Sequence, residues 1–397
     1  MKILLIDVNC KNSSTGKIVY DLYTNIKENG HQAAVCYGRG EKIEEPNVFK
    51  FGLDWETYLH AALARITGLN GYFSFFSTRR LIRYIKKFQP DIIHIHELHA
   101  YFVNHKPLLK YIKKQNIRVV WTFHCEYMYT GKCGHAYECE NWKTECGNCP
   151  AVKEYPKSMF LDATKRMFRD KKKWLKDLDM TIVTPSKWLA DRVRKSFLKD
   201  KEITVIHNGI DTNIFKPTAS LELRENLGVP SEDKIVLFVA PDLLDENKGA
   251  SWVLEIAKRM LNDNVSFVLV GQNELETDLD NVYFAGKISN QKELAKVYSM
   301  ADVLLVCSKR ETFPTVCLEA QCCGTPIVGF DAGGTKETLL TSEQNVVSYG
   351  DIDSLYEKII KMLAIDKNKQ NISQMAEKVY SKERMIANYL NVYSQIK

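Results

Sequence analysis

Residues 302–334 read DVLLVCSKRETFPTVCLEAQCCGTPIVGFDAGG, and this stretch decides the fold. DVLLVC (302–307) is a short apolar run of the kind expected for a strand buried on both faces. The polar turn Ser308-Lys309-Arg310 follows it. Pro314 then suits the first position of a helix and Gly324 suits its end. TPIVGF (325–330) is a second apolar run, closed by Gly333-Gly334. Strand, helix and strand in so short a span predict parallel strands joined by a right-handed crossover.

The same alternation extends in both directions. IVLFVA (235–240), VSFVLVG (265–271) and VYFAG (282–286) read as further strands, with helices near 250–261, 291–299 and 315–323. Toward the N-terminus, KILLIDVN (2–9), HQAAVCYG (31–38), DIIHIHE (91–97), IRVVWTF (117–123) and MTIVTP (180–185) repeat the pattern. Helical stretches fall between them at 18–26, 55–66, 76–88 and 162–177. At 397 residues the chain is too long for one ordinary core. The expectation is an α/β protein of two Rossmann-like domains whose parallel sheets face a central cleft. The domains are placed at 1–206 and 207–379, divided at the turn-rich HNGIDTNIFKPTAS (207–220), with a helix at 380–397 packing back on the first.

Composition narrows the function classes. With 45% hydrophobic and 26% charged residues, the chain reads as a globular protein of the aqueous phase. The opening MKILLIDVNC, a short apolar run followed at once by polar residues, does not resemble a signal peptide, and no window reaches the ~18 apolar residues of a membrane span. A cytoplasmic location is expected, with the eleven cysteines reduced or metal-bound. Residues 1–215 carry 35 Lys/Arg against 23 Asp/Glu (+12), and residues 216–397 carry 20 against 26 (−6). A basic half suits an anionic membrane or a phosphate-bearing acceptor.

Chemistry concentrates in Glu311-Thr-Phe-Pro-Thr-Val-Cys-Leu-Glu319, two carboxylates with seven residues between them. The helix start lies at the C-terminal edge of the sheet, where open α/β sheets bind ligands. Backbone N–H groups along Phe313, Pro314, Thr315 and Val316 could hold a phosphate. Glu319, one turn further in, could accept hydrogen bonds from ribose hydroxyls, and Glu311 would face a transferred group. A capping acid and a surface Glu explain the spacing equally well. Two neighbours favour the ligand reading: Lys248-Gly249 opens a helix after strand 235–240, and Gly333-Gly334 permits close backbone approach.

Together with Asn208-Gly209-Ile210-Asp211 and Phe215-x-Pro217, these motifs resemble the family 4 glycosyltransferases of GT-B fold. The resemblance covers essentially the whole chain and is sharpest over 204–340. It implies a retaining transferase that uses a nucleoside diphosphate sugar without a catalytic metal. By that resemblance Glu319 binds ribose, Glu311 faces the donor sugar, and Lys248 contacts the diphosphate. The family's usual Arg a few residues before the Lys is missing from Ala240–Asn247, so either Lys248 and the helix dipole suffice or another cation, Lys309 or Arg310, substitutes.

In the first half, Gly16 within Asn12–Lys17 matches the family's loop against donor and acceptor, although a plain helix start explains it as well. His124 follows strand 117–123 where the family places a His on the donor sugar; its successor, often Asp, is Cys125 here. His94, His96 and His99 tempt a metal reading, but i and i+2 share a strand face without needing an ion. The resemblance favours acceptor contact, and they stay unassigned as ligands. Phe73–Lys87 mixes aromatics with five cations, suiting either a solvated helix face or an anionic membrane surface.

Cys133, Cys139, Cys146 and Cys149 crowd into seventeen residues as C-x5-C-x6-C-x2-C. A structural Zn site is expected, with disulfides or unliganded thiols as alternatives and His135 as a substitute ligand. Such an insert, spanning about 125–158, resembles one in some bacterial members of the family, there followed by a stretch like Tyr155-Pro156-Lys157-Ser158.

The expected activity is a front-face transfer in which the departing diphosphate takes the acceptor proton. Lys248 would stabilise the leaving group, with His124 and Glu311 steadying the sugar. The expected acceptor is a glycan or lipid-linked glycan of surface polysaccharide biosynthesis, at the inner face of the membrane. The rivals are a non-hydrolysing nucleotide-sugar 2-epimerase and a zinc-containing nucleic-acid-binding protein; the cleft motifs of the acidic half argue against the latter, so no nucleic-acid partner is expected.

Overall fold

The computed structural model describes residues 1–341, 345–365 and 368–395. Contacts divide the chain into two units, Met1–His207 with Ile386–Lys397, and Asn208–Met385.

The first unit is built on seven strands: β1 (Lys2–Asp7), β2 (Gln32–Tyr37), β3 (Val48–Lys50), β4 (Ile92–Ile95), β5 (Arg118–Thr122), β6 (Met180–Thr184) and β7 (Glu202–Val205). Their order is β3-β2-β1-β4-β5-β6-β7, and every pair is parallel. The crossovers carry α1 (Ser13–Glu28), α2 (Asp54–Thr67), α3 (Phe75–Phe88), α4 (His105–Lys114), α5 (Thr164–Leu175) and α6 (Lys187–Arg194). The apolar runs are continuous because helices cover both sheet faces, so Leu4, Ile6, Ile93, Ile95, Val119, Trp121 and Ile182 share one core. Strand order reverses between β1 and β4, and Asp7 ends β1 at that point, wholly buried.

The second unit repeats the plan. After α7 (Leu221–Asn226) come β8 (Lys234–Asp242), β9 (Val265–Gln272), β10 (Val282–Gly286), β11 (Val303–Val306), β12 (Ile327–Phe330) and β13 (Asn345–Val347). They lie in the order β10-β9-β8-β11-β12-β13, again all parallel. Helices α8 (Ala250–Arg259), α9 (Gln291–Met300), α10 (Thr315–Cys322), α11 (Ile352–Ala364) and α12 (Lys369–Tyr380) flank the sheet. Here the order reverses between β8 and β11.

The last helix, α13 (Lys382–Gln395), begins in the second unit and ends in the first. Its first-unit residues Tyr389 and Tyr393 are buried against β4 and β5. The Tyr393 hydroxyl meets His94 Nδ1 at 2.6 Å, and the Tyr389 hydroxyl meets Thr122 Oγ1 at 3.0 Å.

Strands β3, β7 and β13 fall outside the expected set. Each is three or four residues long at a sheet edge, where an apolar run is not required. Among the described residues no helix is long and apolar enough to cross a membrane.

Candidate functional site

In the second unit the site forms at the strand-order reversal, from the loops after β8, β11 and β12. The Lys248 ammonium meets Glu311 Oε1 at 2.7 Å, and both side chains keep partial exposure. Burial opposes the charge on Lys248, but the Glu311 carboxylate and then Asp245 carry its pKa above the ordinary value. The ammonium therefore stays charged at neutral pH.

Two glycines allow the loops to close on one another. Gly249 caps α8 in the left-handed region (φ 78°), and an added Cβ would drive into the backbone of Cys307 at the end of β11. Gly333 (φ 76°) lies on the carbonyl of Glu311 in the same way. The Glu311 N–H donates to Ala332 O at 3.1 Å, and Gly334 N–H donates to Glu311 O at 2.8 Å. Glu311 is thus held as a one-residue bridge beside Gly333. The Lys309 N–H reaches Asn247 O at 2.8 Å, tying the β11 loop to the turn that carries Lys248. Arg310 lays its aliphatic stem against Gly333.

Helix α10 starts at Thr315 with Pro314 as its cap residue and no side-chain cap. One correction follows from this geometry: Pro314 has no N–H, so it shapes the turn and cannot donate to a phosphate. Phe313 is also not a side-chain ligand. Its ring is 4% exposed and packs edge-on against Tyr380. Glu319 is half-buried one turn into α10, where its Oε2 accepts the Tyr298 hydroxyl at 2.8 Å. Burial first, and Glu319 second, push the Tyr298 hydroxyl well above its usual range, so it remains a donor. Sequence reasoning missed Tyr298, which lies on the preceding helix α9, and no motif links it to Glu319.

In the first unit His124 stands just after β5, half-buried, with Nε2 3.0 Å from His96 Nδ1. Burial lowers the pKa of both rings, so both are neutral near pH 7. His94 is buried between Tyr393 and Thr122, whose hydroxyls occupy both ring nitrogens. Gly16 sits in the first turn of α1, close to the backbone of Asn9, where an added Cβ would meet Asn9 and Ser13 at 3.3 Å, tighter than an ordinary contact. Asp7, which the sequence reading passed over, accepts Glu97 N–H at 3.1 Å and the Thr15 hydroxyl at 3.1 Å. Burial, reinforced by Glu97, raises its pKa to about 7. A lone acid at the end of the run KILLID was the signal that could have found it.

The cysteine segment is pinned by lysines. Lys132 donates to the carbonyls of Val152, Glu154 and Pro156 at 2.7–2.8 Å. Lys171 donates to those of Tyr127, Thr130 and Gly131 at 2.5–3.2 Å. Cys133 and Cys149 come together, and their hydrogen bond, as the first cause, lowers Cys149 to about 7. Cys146 accepts Gly131 N–H at 3.1 Å. Among the described residues no third ligand atom joins the Cys133–Cys149 pair at metal-binding spacing.

Comparison with known proteins gives this geometry a family. The profile described as Glycosyltransferase Family 4 matches residues 15–214, just over half of the chain. The chain belongs to glycosyltransferase family 4. A second profile, Glycosyl transferases group 1, matches residues 220–379 of this family 4 glycosyltransferase. Among its relatives is the Escherichia coli (strain K12) protein named as the colanic acid biosynthesis glycosyl transferase WcaC, 24% identical with all of both chains covered. The N-acetyl-alpha-D-glucosaminyl L-malate synthase of Bacillus anthracis is 25% identical over 54% of this chain and 59% of its own. Among solved structures, sucrose-phosphate synthase from Thermosynechococcus elongatus superposes with a TM-score of 0.71 at 18% identity, covering 100% and 98% of the two chains. Anabaena Alr3699/HepE in complex with UDP-glucose gives 0.65 at 16%, covering both chains fully. These structural likenesses establish the GT-B fold of the family 4 enzyme, two parallel-sheet α/β units.

Proposed function

We propose that this glycosyltransferase transfers a sugar from a nucleoside diphosphate donor to a glycan or lipid-linked glycan, with retention of anomeric configuration, in surface polysaccharide biosynthesis. One observation carries the reading: the Lys248–Glu311 pair, locked by glycine contacts at the reversal point of the second sheet. A fixed ammonium there stabilises charge developing on a leaving diphosphate, with no reorganisation at the moment of reaction. Thr315 and Val316, at the uncapped start of α10, supply backbone N–H groups to the phosphates. Glu319, oriented by Tyr298, takes the ribose hydroxyls, and Glu311 takes the donor sugar. His124 in the first unit, neutral and buttressed by His96, is the second group assigned to the sugar, with Gly16 admitting the donor to the β1–α1 loop. The departing diphosphate accepts the acceptor proton, so no protein nucleophile and no catalytic metal enter the scheme.

Support for the donor class comes from Alr3699/HepE, which is described in complex with UDP-glucose. Support for the pathway comes from WcaC, which is named for colanic acid biosynthesis. A thermal-shift screen against nucleoside diphosphate sugars tests the donor. With the donor found, Glu311→Ala is expected to abolish transfer while sparing nucleotide binding, and Glu319→Ala to weaken binding itself. Full activity in both variants defeats the assignment. A donor that is converted with no acceptor present turns the reading to a 2-epimerase.

The proposed setting is the cytoplasmic membrane surface. Trp55, Tyr58, Leu59 and Ile66 of α2 and Phe75 and Phe76 of α3 are all exposed, and the Trp55 and Phe76 rings meet at 5.9 Å. The exposed run Met159, Phe160, Leu161 joins α2 through Met159 N–H to Arg65 O at 2.8 Å. Arg79, Arg80 and Arg83 follow the same aromatics along α3. Apolar surface edged with cations suits an anionic bilayer. Co-sedimentation with anionic vesicles, weakened by salt and by Phe160→Ser with Leu161→Ser, is the expected result; equal retention by neutral vesicles counts against it.

A further inference from the structure

Outside the transfer machinery, three metal-ligating groups converge on one point of the first unit. Glu97 and His99 follow β4, and Cys125 follows β5, so two neighbouring strand ends deliver an oxygen, a nitrogen and a sulfur together. Among the described residues these are the one set of His, Cys and acidic ligand atoms that all lie within 4.8 Å of one another. Glu97 Oε2 is 2.5 Å from His99 Nε2 and 3.5 Å from Cys125 Sγ. We propose that Glu97, His99 and Cys125 form a binding site for a divalent cation of the zinc class, with three protein ligands and an open fourth position.

Geometry and chemistry support the assignment separately. Metal–ligand bonds of about 2.0–2.3 Å in a tetrahedron set ligand–ligand edges near ~3.5 Å. The Glu97–Cys125 edge already has that length, and the Glu97–His99 edge must open by about 1 Å. His99 keeps enough exposure to rotate that far, while Glu97 is nearly buried. A thiolate, an imidazole and a carboxylate are the donors that zinc and its neighbours accept, whereas magnesium and calcium prefer oxygen alone.

The surroundings are those of a supported ligand set. The Tyr155 hydroxyl lies 3.4 Å from His99 Nδ1, the nitrogen left over when Nε2 binds a metal. The Glu97 N–H donates to Asp7, which fixes the carboxylate's backbone and places a second acid nearby. Charge also balances: one carboxylate and one thiolate neutralise a dication, so the half-buried site carries no net charge once loaded. Cys125 adjoins His124 in the chain, so a bound ion would clamp the loops after β4 and β5 beside the proposed sugar-binding histidine. The site stands apart from the Cys133–Cys149 pair and does not depend on the donor chemistry proposed above.

The test uses the full chain, stripped with chelator and titrated with Co2+, whose absorption reports thiolate ligation. One cobalt per chain with a single-thiolate band is expected, displaced by Zn2+. Cys125→Ser should remove the band, and Glu97→Gln and His99→Gln should each weaken binding by tenfold or more. Tyr155→Phe should weaken it by about tenfold, as loss of an outer partner does. The double variant Cys133→Ser with Cys149→Ser should leave the band intact. Circular dichroism establishes that each variant is folded, and the isosteric Glu97→Gln carries the test if Cys125→Ser is not. A band that survives Cys125→Ser, or one that vanishes in the double variant, or absence of cobalt uptake by the wild type, overturns the proposal.

Discussion

Gly333→Ala separates a real site from a coincidence of loops. Gly333 sits at φ 76°, where an alanine is strained by about 1–2 kcal/mol. Its Cβ would also fall more than 1 Å inside the 3.4 Å at which ordinary contact with the Glu311 carbonyl begins. Backbone must therefore move, and the two hydrogen bonds that frame Glu311 move with it. A displacement of about 1 Å in a positioned group costs on the order of 10²-fold in rate. Gly350→Ala is the control: its φ is 86°, but open space surrounds the new Cβ. Both variants should lose about 2–4 °C of Tm per kcal/mol of strain. Only Gly333→Ala should also lose about 10²-fold in nucleoside diphosphate release from the donor that the thermal-shift screen selects. If it keeps the turnover of Gly350→Ala, Glu311 is not positioned by the glycine loop and the reasoning fails.

Tyr393→Phe removes the hydroxyl from His94 Nδ1 and leaves a buried nitrogen without its partner. A loss of about 1–3 kcal/mol is expected in the unfolding of the first unit, and an unchanged midpoint speaks against the contact. Acid should weaken that unit too. Burial, as the first cause, holds His60, His94 and His105 at about 3, below the ~6.5 of an unfolded chain. Their contribution is complete above pH 6.5 and is lost as pH falls toward 3, by roughly 2 kcal/mol each at pH 5. Asp7, raised to about 7, works in the opposite sense and offsets roughly one of them, so the balance of these four groups is a loss of stability between pH 7 and 5. Urea midpoints at the two pH values check the sign, and equal stability would contradict it.

Much of the fold was legible because parallel strands buried on both faces must be apolar throughout. IVLFVA, VSFVLVG and DVLLVC announce themselves for that reason, and glycines at 249 and 333 mark the close approaches between them. The short edge strands were not legible: Glu202–Val205 carries no apolar run to read. Side-chain partnerships across long separations were hidden for a different reason. Nothing in the local pattern ties Tyr298 to Glu319, Tyr393 to His94, or Cys125 to Glu97, since each pair meets only when the sheet has been wound. Lys132 and Lys171 carry no motif that marks them in the sequence, yet each is spent on three backbone carbonyls.

The path of α13 has a consequence for biosynthesis. The second unit is one continuous segment, Asn208–Met385, whereas the first needs residues from Ile386 onward. A ribosome that has finished His207 must add about 190 more residues before Tyr389 and Tyr393 emerge, roughly 10–40 s at ordinary elongation rates. During that interval the nascent sheet presents Thr122 and His94 to whatever is nearby. The half of the enzyme that is made first is therefore the half that is completed last, and chaperone demand should concentrate on it.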